Sequence, residues 1–369
     1  MITKLVIENF KSIKKIDIEL KNINILIGSN GAGKSNFISF FKLLNAITQK
    51  KLQYYVGEES GANNILHYGL KYSEYLKGKI ELKNTESFSQ YNFTLNANTE
   101  GNLFISNEDT SYGDIGEFSK LKVDSMSVGV TSKETMIIKE LDENKKNLNS
   151  ISLKKLSEYK VYHFHDTSKT ARVKQSFNLY DNETLYEDAR NLAAFLYKLK
   201  ETNEIALKKI EKTIKLIAPY FGEFILKPNP LNPEEIRLAW KEKNNEDMIF
   251  NASHFSDGTL RMICLITLFM QPTPPQVIIL DEPELGLHPF ALTILSDLIK
   301  KVADSGIQVI ISTQSVPLID KFSIEDIIVV EKGNSGSEFK RLHEEELKEW
   351  LEDYTIGELW EKNLLGGRP

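Results

Sequence analysis

A glycine-rich segment near the start of the chain has the residue types and spacing of a loop that binds phosphate. It satisfies the pattern G-x-x-x-x-G-K-[ST]. The residues of this loop, with the asparagine that follows it, are Gly28, Ser29, Asn30, Gly31, Ala32, Gly33, Lys34, Ser35 and Asn36. The glycines let main-chain amides approach an anion, and the N-terminus of a following helix favours phosphate. Lys34 would contact the β- and γ-phosphates of ATP, and Ser35 would ligate Mg²⁺.

Two adjacent carboxylates, Asp281 and Glu282, form the second group that could do chemistry. They follow the apolar run 277–280, which predicts a central strand of a parallel sheet. Ligands of such sheets bind beyond the carboxyl ends of the strands. Asp281 can therefore reach the Mg²⁺ shell, and Glu282 can orient or deprotonate an attacking water. Many strands end in acidic residues, so the pair indicates a catalytic site only in combination with the phosphate loop.

A short polar segment upstream of these carboxylates opens a predicted helix. It reads Phe255-Ser256-Asp257-Gly258-Thr259-Leu260-Arg261. A serine and a glycine at a helix start suit anion binding, although Ser-x-Gly by itself is only a helix cap. Its place just before the acidic strand makes Ser256 and Gly258 candidate contacts to a nucleotide phosphate.

The elements that must position these residues alternate between strands and helices. Residues 2–8 and 16–20 alternate apolar and polar, and 23–27 form a more apolar run directly before the loop. Further strands are predicted at 79–83, 91–95, 102–106, 236–240, 277–280 and 307–311. Helices are predicted at 36–47, at 184–217 with a break near Thr202, at 257–270 and at 289–303. Buried strands that alternate with helices imply an α/β fold with a parallel sheet and crossover connections.

The change of texture along the chain predicts three segments. Residues 1–50 and 251–369 would form one ATP-binding domain that is split by an insertion. Residues 51–180, rich in Asn, Ser, Thr and Tyr, would form a β-rich insertion, and 181–250 a helical subdomain with a return strand. The helical stretch lacks the sustained heptads that a long coiled coil needs.

Composition restricts the class of protein further. Charged residues make up 27% and apolar residues 41% of the chain, as in ordinary globular proteins, and the net charge of −6 gives no general attraction to nucleic acid. The single cysteine, Cys264, lies in an apolar run and is interpreted as a buried thiol that forms no disulfide framework. No signal peptide and no apolar stretch of membrane-spanning length is apparent, so we expect a cytoplasmic protein without a membrane partner.

The order of these motifs resembles that of ABC-type ATPases, and more narrowly the RecF/SMC/OLD branch. The phosphate loop, the Ser-Asp-Gly-Thr-Leu-Arg segment, the acidic strand and the following Leu285-Gly286-Leu287-His288-Pro289 occur in that order. The opening 5–12 (Leu-Val-Ile-Glu-Asn-Phe-Lys-Ser) is typical of the same branch. The segment 161–168 (Val-Tyr-His-Phe-His-Asp-Thr-Ser) and the ending 357–369 are similar to a bacterial subgroup of standalone ATPases.

The resemblance implies an ABC-ATPase head with a phosphate loop, a mixed sheet flanked by helices, a β-rich and helical insertion and no long coiled coil. It also implies a homodimer, or a higher homo-oligomer, in which two subunits enclose two ATP molecules. Ser256 and Gly258 would then act on the nucleotide of the other subunit, and the loop 285–288 would cross the dimer seam. In the same resemblance Lys11 is a nucleotide-binding candidate.

One position departs from the branch. Its members often carry a histidine in a Thr-His-Ser segment after the next strand, whereas this chain reads Ser312-Thr313-Gln314-Ser315. Gln314 can donate and accept hydrogen bonds but cannot carry charge. We therefore expect Gln314 to sense the γ-phosphate and the ATPase activity to be weak.

The resemblance favours an ATP-dependent switch or sensor subunit of a DNA-acting or anti-phage defence system. Its effector would be a separate, TOPRIM-like nuclease, since no Asp-x-Asp pair follows Gln314. A RecF-like DNA repair clamp is the alternative. A transporter nucleotide-binding subunit is a third reading, disfavoured by the missing Leu-Ser-Gly-Gly-Gln signature. Lysines between 198 and 215 could contact DNA, but interleaved glutamates favour a solvated helix face.

Two histidines, His163 and His165, share one face of a strand-like run and are followed by Asp166. A metal site normally needs three or four ligands. The sequence therefore favours a packing role for this pair.

Overall fold

Alternating apolar residues at the start of the chain form the first strands of the structure, a computed structural model that describes residues 1–83, 87–114, 124–128, 131–137 and 156–368. Parts of the predicted segment 51–180, and Pro369, lie outside the described residues. The chain divides into two units. Unit 1 comprises Met1–Val161, Pro275–Ile279 and Gly306–Pro369, and unit 2 comprises Tyr162–Pro274 and Leu280–Ser305. The division into three functional segments stays a prediction.

An antiparallel sheet of unit 1 begins with the predicted strand pair. In this sheet the order is β2-β1-β4-β5-β6-β7. Its strands are β1 (Ile2–Phe10), β2 (Ile13–Glu19), β4 (Tyr75–Lys83), β5 (Ser87–Ala97), β6 (Leu103–Asp114) and β7 (Asp124–Val128). Leu5 pairs with Ile18 on one side and with Ile80 on the other, so one apolar face continues across three strands. The strands predicted at 79–83, 91–95 and 102–106 therefore extend the sheet that β1 opens.

The second sheet of unit 1 is mixed, with the order β18-β17-β3-β16-β15-β8. Its strands are β3 (Ile23–Ile27), β8 (Lys160–Tyr162), β15 (Val277–Asp281), β16 (Gln308–Ser312), β17 (Ile327–Gly333) and β18 (Gly336–Arg341). The central β3 is parallel to β16 and β17, and β17 is antiparallel to β18. Residues up to Val161 in β8 and up to Ile279 in β15 belong to unit 1.

Helix α1 (Lys34–Thr48) provides much of the core of unit 1. Its side chains Phe37, Phe40, Phe41 and Leu44 are fully buried. Phe40 packs against Phe10 and Phe93 of the antiparallel sheet, with ring centroids 5.5 and 6.1 Å apart. The other helices that the structure describes in this unit are α2 (Leu52–Glu58), α3 (Ala62–Ile65), α8 (Val316–Ile319), α9 (Glu344–Leu351) and α10 (Ile356–Glu361). Because α1 starts at Lys34, the phosphate loop is held between β3 and a helix that is anchored in the core.

Unit 2 combines four helices with two small antiparallel sheets. The helices are α4 (Leu192–Thr202), α5 (Glu204–Ile217), α6 (Asp257–Met270) and α7 (Pro289–Asp304). The sheets have the orders β10-β13-β14 and β11-β12-β9. Their strands are β9 (Phe177–Asn178), β10 (Phe221–Phe224), β11 (Pro228–Asn229), β12 (Asn232–Ile236), β13 (Ala239–Glu242) and β14 (Asn245–Asn251).

The predicted helical run 184–217 begins later, at Leu192, and breaks where expected. Asn203 caps α5 by accepting a hydrogen bond from the amide of Ala206. The single strand predicted at 236–240 is wrong, because the two ends of that run pair with different partners. Ile236 pairs with Phe177, whereas Ala239 pairs with Asn251.

Within the described residues the longest helix, α7, has 16 residues. None of the helices in this part of the chain combines the length and the apolar character that crossing a bilayer requires.

Candidate functional site

The phosphate loop takes its conformation from glycines at positions where other residues would be strained. Gly31 and Gly33 have φ of 77° and 119°, in the region that favours glycine. A Cβ on Gly33 would lie 2.1 Å from Oγ of Ser337. At Gly28 a Cβ would lie 2.2 Å from the carbonyl oxygen of Val330. The loop therefore passes so close to β17 and β18 that side chains at these two positions are excluded.

Lys34 is the buried cation of the loop. Its side chain is nearly inaccessible, and its Nζ donates to the carbonyl oxygens of Gly28 at 2.6 Å and Ser29 at 3.1 Å. The ammonium thus lies over the loop at the point where α1 begins, while Ser35 is exposed on the first turn. A positive charge beside a helix N-terminus and glycine backbone provides the donors that a nucleotide phosphate needs.

Two serine side chains outside the loop, those of Ser12 and Ser337, form hydrogen bonds that hold its C-terminal end. The phosphate-loop pattern does not indicate these contacts. Ser12 accepts a hydrogen bond from Nδ2 of Asn36 at 2.7 Å and another from Oγ of Ser337 at 2.7 Å. The amide of Ser337 donates to the carbonyl of Ser12 at 2.8 Å. Asn36, a predicted nucleotide contact, therefore donates one of its side-chain amide hydrogens to Ser12.

Gln314 lies beside the loop. Its Nε2 donates to Oδ1 of Asn30 at 2.8 Å. The chain places Gln314 there because β16 runs parallel to β3, so that both strands end at the same edge of the sheet. Thus two predicted site residues that are far apart in sequence lie in hydrogen-bonding contact.

Lys11 has a defined partner of its own. Its Nζ forms an ion pair with Oε2 of Glu59 at 2.9 Å, and its backbone is held by the carbonyl of Ile65 and by Nδ1 of His67, both at 2.8 Å. Its φ of 47° is left-handed. These contacts assign Lys11 to a turn of unit 1, and its contact with nucleotide stays a prediction.

The C-terminal residues pack against the loop as well. We call Trp360, Gly366, Gly367 and Glu331 the C-terminal clasp. Trp360 is fully buried and donates from Nε1 to the carbonyl of Gly367 at 2.6 Å, and the amide of Gly367 donates to Glu331 at 2.5 Å. A Cβ on Gly367 would lie 3.4 Å from Cα of Gly28. The tail is thereby held directly against the first glycine of the loop.

The two predicted carboxylates come at the end of β15. The strand is fully buried up to Leu280, and Asp281 is its last residue. Glu282 has a φ of 43°, which is left-handed and unusual for a residue with a side chain. Such a conformation costs about 1–3 kcal/mol and persists only when the surroundings impose it.

His165 imposes part of that conformation. Its Nε2 lies 2.7 Å from the carbonyl oxygen of Asp281 and 3.3 Å from that of Glu282. Because carbonyl oxygens only accept, Nε2 carries the proton and donates. The packing role predicted for the histidine pair thus takes a specific form, in which His165 holds the carboxylate-bearing backbone. In the described part of the chain no group of three or more His, Cys, Asp or Glu residues could hold a metal ion.

Arg261 holds His165 in turn. From the second turn of α6 its Nε donates to the carbonyl of Phe164 at 2.9 Å, and its Nη2 donates to that of His165 at 3.1 Å. The side chain is 7% exposed, and burial lowers the pKa of the guanidinium below its ordinary range. A single charge ahead of the apolar run 262–270 is the sequence signal that could have indicated this role, since buried charges need specific partners.

The start of α6 is fixed by stacking and by close packing. Phe255 stacks on Trp240 with centroids 4.4 Å apart, and Ser256 caps the helix by accepting from the amide of Thr259 at 3.2 Å. A Cβ on Gly258 would lie 2.4 Å from the carbonyl oxygen of Gly286. Glycine at position 258 therefore lets the predicted seam loop 285–288 approach the helix.

These residues form two groups. The phosphate-loop cluster, in unit 1, consists of 28–36 with Ser12, Ser337 and Gln314. The carboxylate cluster, in unit 2, consists of Asp281, Glu282, Ser256, Gly258, the loop 285–288, His165 and Arg261.

Comparison with known proteins gives a consistent picture. A family model described as "AAA domain, putative AbiEii toxin, Type IV TA system" matches residues 23–320. The "Old nuclease" of Escherichia phage P2 is 25% identical over 185 residues, which cover 45% of this chain and 32% of that protein. A "Putative ABC transporter ATP-binding protein" of Methanosarcina acetivorans is 29% identical over 126 residues, which cover 32% of this chain and 45% of that protein. The chain thus spans less than half of either curated relative.

Two solved structures share the fold. One is an Smc head bound to the C-winged helix domain of ScpA, with a TM-score of 0.59 at 17% identity, covering 94% of this chain and 99% of that chain. The other is an Smc head with an extended coiled coil bound to the C-terminal domain of ScpA, derived from Pyrococcus furiosus, with a TM-score of 0.58 at 16% identity, covering 95% and 98%. The predicted fold, a mixed-sheet ATPase head, is thereby confirmed.

Proposed function

Since the chain belongs to the family described as "AAA domain, putative AbiEii toxin, Type IV TA system" and is a RecF/SMC/OLD-like ABC-type ATPase, we propose that it binds ATP and hydrolyses it slowly to ADP and phosphate. The observation that carries this proposal is the buried ammonium of Lys34, which lies over the carbonyls of Gly28 and Ser29 at the start of α1.

The residues of the phosphate-loop cluster fit a nucleotide triphosphate. The left-handed φ angles of Gly31 and Gly33 let backbone amides approach an anion, and Lys34 would neutralise its charge. Ser35 and Asp281 would hold Mg²⁺, which neutralises charge on the phosphates when bound. Both residues offer the oxygen ligands that Mg²⁺ prefers.

Hydrolysis needs a group that orients water and takes its proton. We assign this role to Glu282, whose backbone is held in an unusual conformation by His165. Gln314, beside Asn30, would sense the γ-phosphate through an uncharged amide. An uncharged side chain stabilises developing negative charge less than a protonated histidine does, which supports slow turnover.

In the proposed assembly two copies enclose two ATP molecules, with Ser256 and Gly258 of one copy acting on the nucleotide of the other. Ser256 is exposed at the start of α6, Leu285 in the predicted seam loop is 42% exposed, and Phe290 just after that loop is 53% exposed. Exposed apolar side chains next to a helix N-terminus provide the two components that such an interface needs, burial and phosphate binding.

The biological role we propose is that of a switch or sensor subunit in an anti-phage or other DNA-acting system, working with a separate effector. The family description names a toxin of a toxin–antitoxin system, and one curated relative is a phage nuclease. The match covers 32% of that nuclease.

The direct test is phosphate release by the purified protein with ATP and Mg²⁺. We expect slow turnover, abolished in Lys34→Ala through lost ATP binding. In Glu282→Gln we expect turnover to fall by about 100-fold or more while ATP binding is retained. Absence of ATP binding by the unchanged protein would refute the proposal.

The dimer is tested by mass measurement of Glu282→Gln with saturating ATP and Mg²⁺. We expect the dimer to accumulate because the nucleotide is not hydrolysed. A mass that stays that of one chain would refute the two-copy assembly.

In the ATPase assay Gln314→His should raise turnover, and equal turnover would show that this position does not limit the rate.

A further inference from the structure

The side chain of His165 reaches the strained backbone before and at Glu282. It makes two contacts with that backbone, at 2.7 Å to the carbonyl of Asp281 and at 3.3 Å to that of Glu282. Both involve the same atom, Nε2, so removing this one donor removes both contacts. The orientation of the Glu282 carboxylate depends on its backbone, because a left-handed φ of 43° directs the side chain differently from the extended strand that precedes it.

Arg261 connects the same histidine to helix α6. Its fork of donors binds two successive carbonyls, those of Phe164 and His165, at 2.9 and 3.1 Å. A guanidinium suits this task because its donors are fixed in one plane and it remains charged when buried. Another nitrogen, Nη1, lies 3.2 Å from where a Cβ would stand on Gly286. Arg261 thus contacts both the histidine segment and the predicted seam loop.

The start of α6 also meets that loop directly. The carbonyl of Gly286 lies so close to Gly258 that a Cβ there would stand 2.4 Å away. Arg261 follows Gly258 by less than one helical turn. A displacement of the first turn of α6 would therefore move Arg261, and with it the backbone that carries His165.

We propose that His165 and Arg261 are positioning residues that link the start of α6 to the backbone of Glu282. This inference rests on the proposed function, because it takes Ser256 and Gly258 as the phosphate contact and Glu282 as the hydrolytic carboxylate. The link lets a phosphate bound at the start of α6 set the orientation of the carboxylate. In this proposal the two residues act on the carboxylate through hydrogen bonds to carbonyl oxygens and not through contact with ATP.

The first test separates the donor from the volume of the side chain. His165→Gln keeps a donor at a similar reach, whereas His165→Leu keeps volume and loses the donor. We expect kcat for ATP hydrolysis to fall about 100-fold in His165→Leu, since small misplacements of a reacting group cost that much. KM for ATP should stay within about twofold of the unchanged protein, because uniform binding is not altered. In His165→Gln most of kcat should return. His163→Leu, two residues away, is the matched control and should keep kcat.

The second test asks whether the two residues act together. Arg261→Lys retains the charge but not the planar fork, so we expect it to lower kcat as well. In the double variant with His165→Leu the losses should not add, because both changes break the same chain of contacts. Alkylation of Cys264, the single cysteine and a buried residue of α6, reports whether the helix stays packed in each variant. If the helix of His165→Leu does not stay packed, kcat is compared between His165→Gln and Arg261→Lys instead. The inference then requires that His165→Gln keep most of kcat and that Arg261→Lys lower it.

The outcomes distinguish the inference from the proposed function. If the unchanged protein hydrolyses no ATP, the proposed function is wrong and the inference falls with it. If it hydrolyses ATP and His165→Leu, with Cys264 protected, does so equally fast, only the inference is wrong. The same holds if His165→Gln and His165→Leu lose equal activity, or if the losses in the double variant add.

Discussion

The phosphate-loop cluster and the carboxylate cluster are built in different ways. In the first, Lys34 donates to carbonyls five and six residues before it, and the glycines allow strand and tail to approach. In the second, the carboxylate-bearing backbone is held by a histidine 116 residues away, which is itself held by an arginine 96 residues further along. In the first cluster the lysine is held by the backbone of its own loop, whereas in the second the carboxylate-bearing backbone is held by distant side chains.

This difference decides how each cluster responds to mutation. A phosphate loop needs backbone amides in a fixed arrangement, and the short loop between β3 and α1 supplies them from adjacent residues. A carboxylate at the end of a strand needs only a side chain of the right type, but its direction depends on what surrounds the strand end. We therefore expect the first cluster to be sensitive to changes in its backbone neighbours and the second to changes in remote donors.

The largest effect is expected at Cys264, which tests whether the helix of the carboxylate cluster is rigid. Burial raises the pKa of this thiol from its ordinary 9.0 to about 12. The thiolate, which is the reactive form, is then about a thousandfold rarer in the folded protein. The neutral thiol favours the folded state up to the pKa of the unfolded thiol, and this contribution is lost as the pH rises toward 12.

Iodoacetamide at pH 8, followed by mass spectrometry, measures this protection. We expect alkylation to be about a thousandfold slower than in denaturant, as the thiolate fraction dictates. Alkylation of the folded protein at the rate of a free thiol would show that α6 opens readily. The carboxylate cluster would then be no more rigid than an exposed loop.

The C-terminal clasp tests whether a remote element also supports the phosphate-loop cluster. Trp360→Ala removes a fully buried indole and its hydrogen bond to Gly367, so the free energy of unfolding should fall by about 3–5 kcal/mol. ATP affinity should fall too, because Gly367 packs beside Gly28. Denaturant unfolding and nucleotide titration measure the two effects.

Trp350 provides the matched control, since 47% of it is exposed. Trp350→Ala should change the free energy of unfolding by no more than about 0.5 kcal/mol. If Trp360→Ala lowered the free energy of unfolding but left ATP affinity intact, the clasp would stabilise unit 1 without supporting the phosphate loop. The two clusters would then differ more clearly in their dependence on remote elements.

Gly258 tests the close approach in the carboxylate cluster. Gly258→Ala places a methyl group 2.4 Å from the carbonyl oxygen of Gly286, and overpacking of this kind costs about 1–3 kcal/mol. Gly57, also in a helix, has nothing within 4 Å of its Cβ position, so Gly57→Ala should instead stabilise by about 0.5–1 kcal/mol. Unfolding curves of the two variants should move in opposite directions. If Gly258→Ala were more stable than the unchanged protein, the loop 285–288 would have moved to make room for the methyl group.

The smallest effect is expected at Ser256. Ser256→Ala removes the helix cap and should lower the free energy of unfolding by about 1 kcal/mol, whereas Ser256→Asn should keep it. Denaturant unfolding measures this loss, and an ATPase assay asks whether the hydroxyl has a further role. Equal turnover in Ser256→Ala would leave the serine with capping alone.

Much of the fold follows from sequence pattern. The period of apolar residues predicts β1, β2 and β3, and helices α6 and α7 begin where the pattern places them. The run 236–240 misleads because a short apolar stretch does not reveal that its ends serve two sheets. Strand pairing is a long-range property, and periodicity reports only which residues face the core.

The sequence by itself determines the phosphate loop, the order of the motifs and the family, because a phosphate-binding loop is encoded in consecutive residues. It also places Asp281 and Glu282 at a strand end. Only the tertiary structure decides that Gln314 meets Asn30, that the tail packs on Gly28, and that His165 and Arg261 hold the backbone of Glu282. The physical reason is that these are hydrogen bonds and packing contacts across large separations in sequence. Such contacts leave no periodic signal in the chain and exist only once the strands and helices have packed.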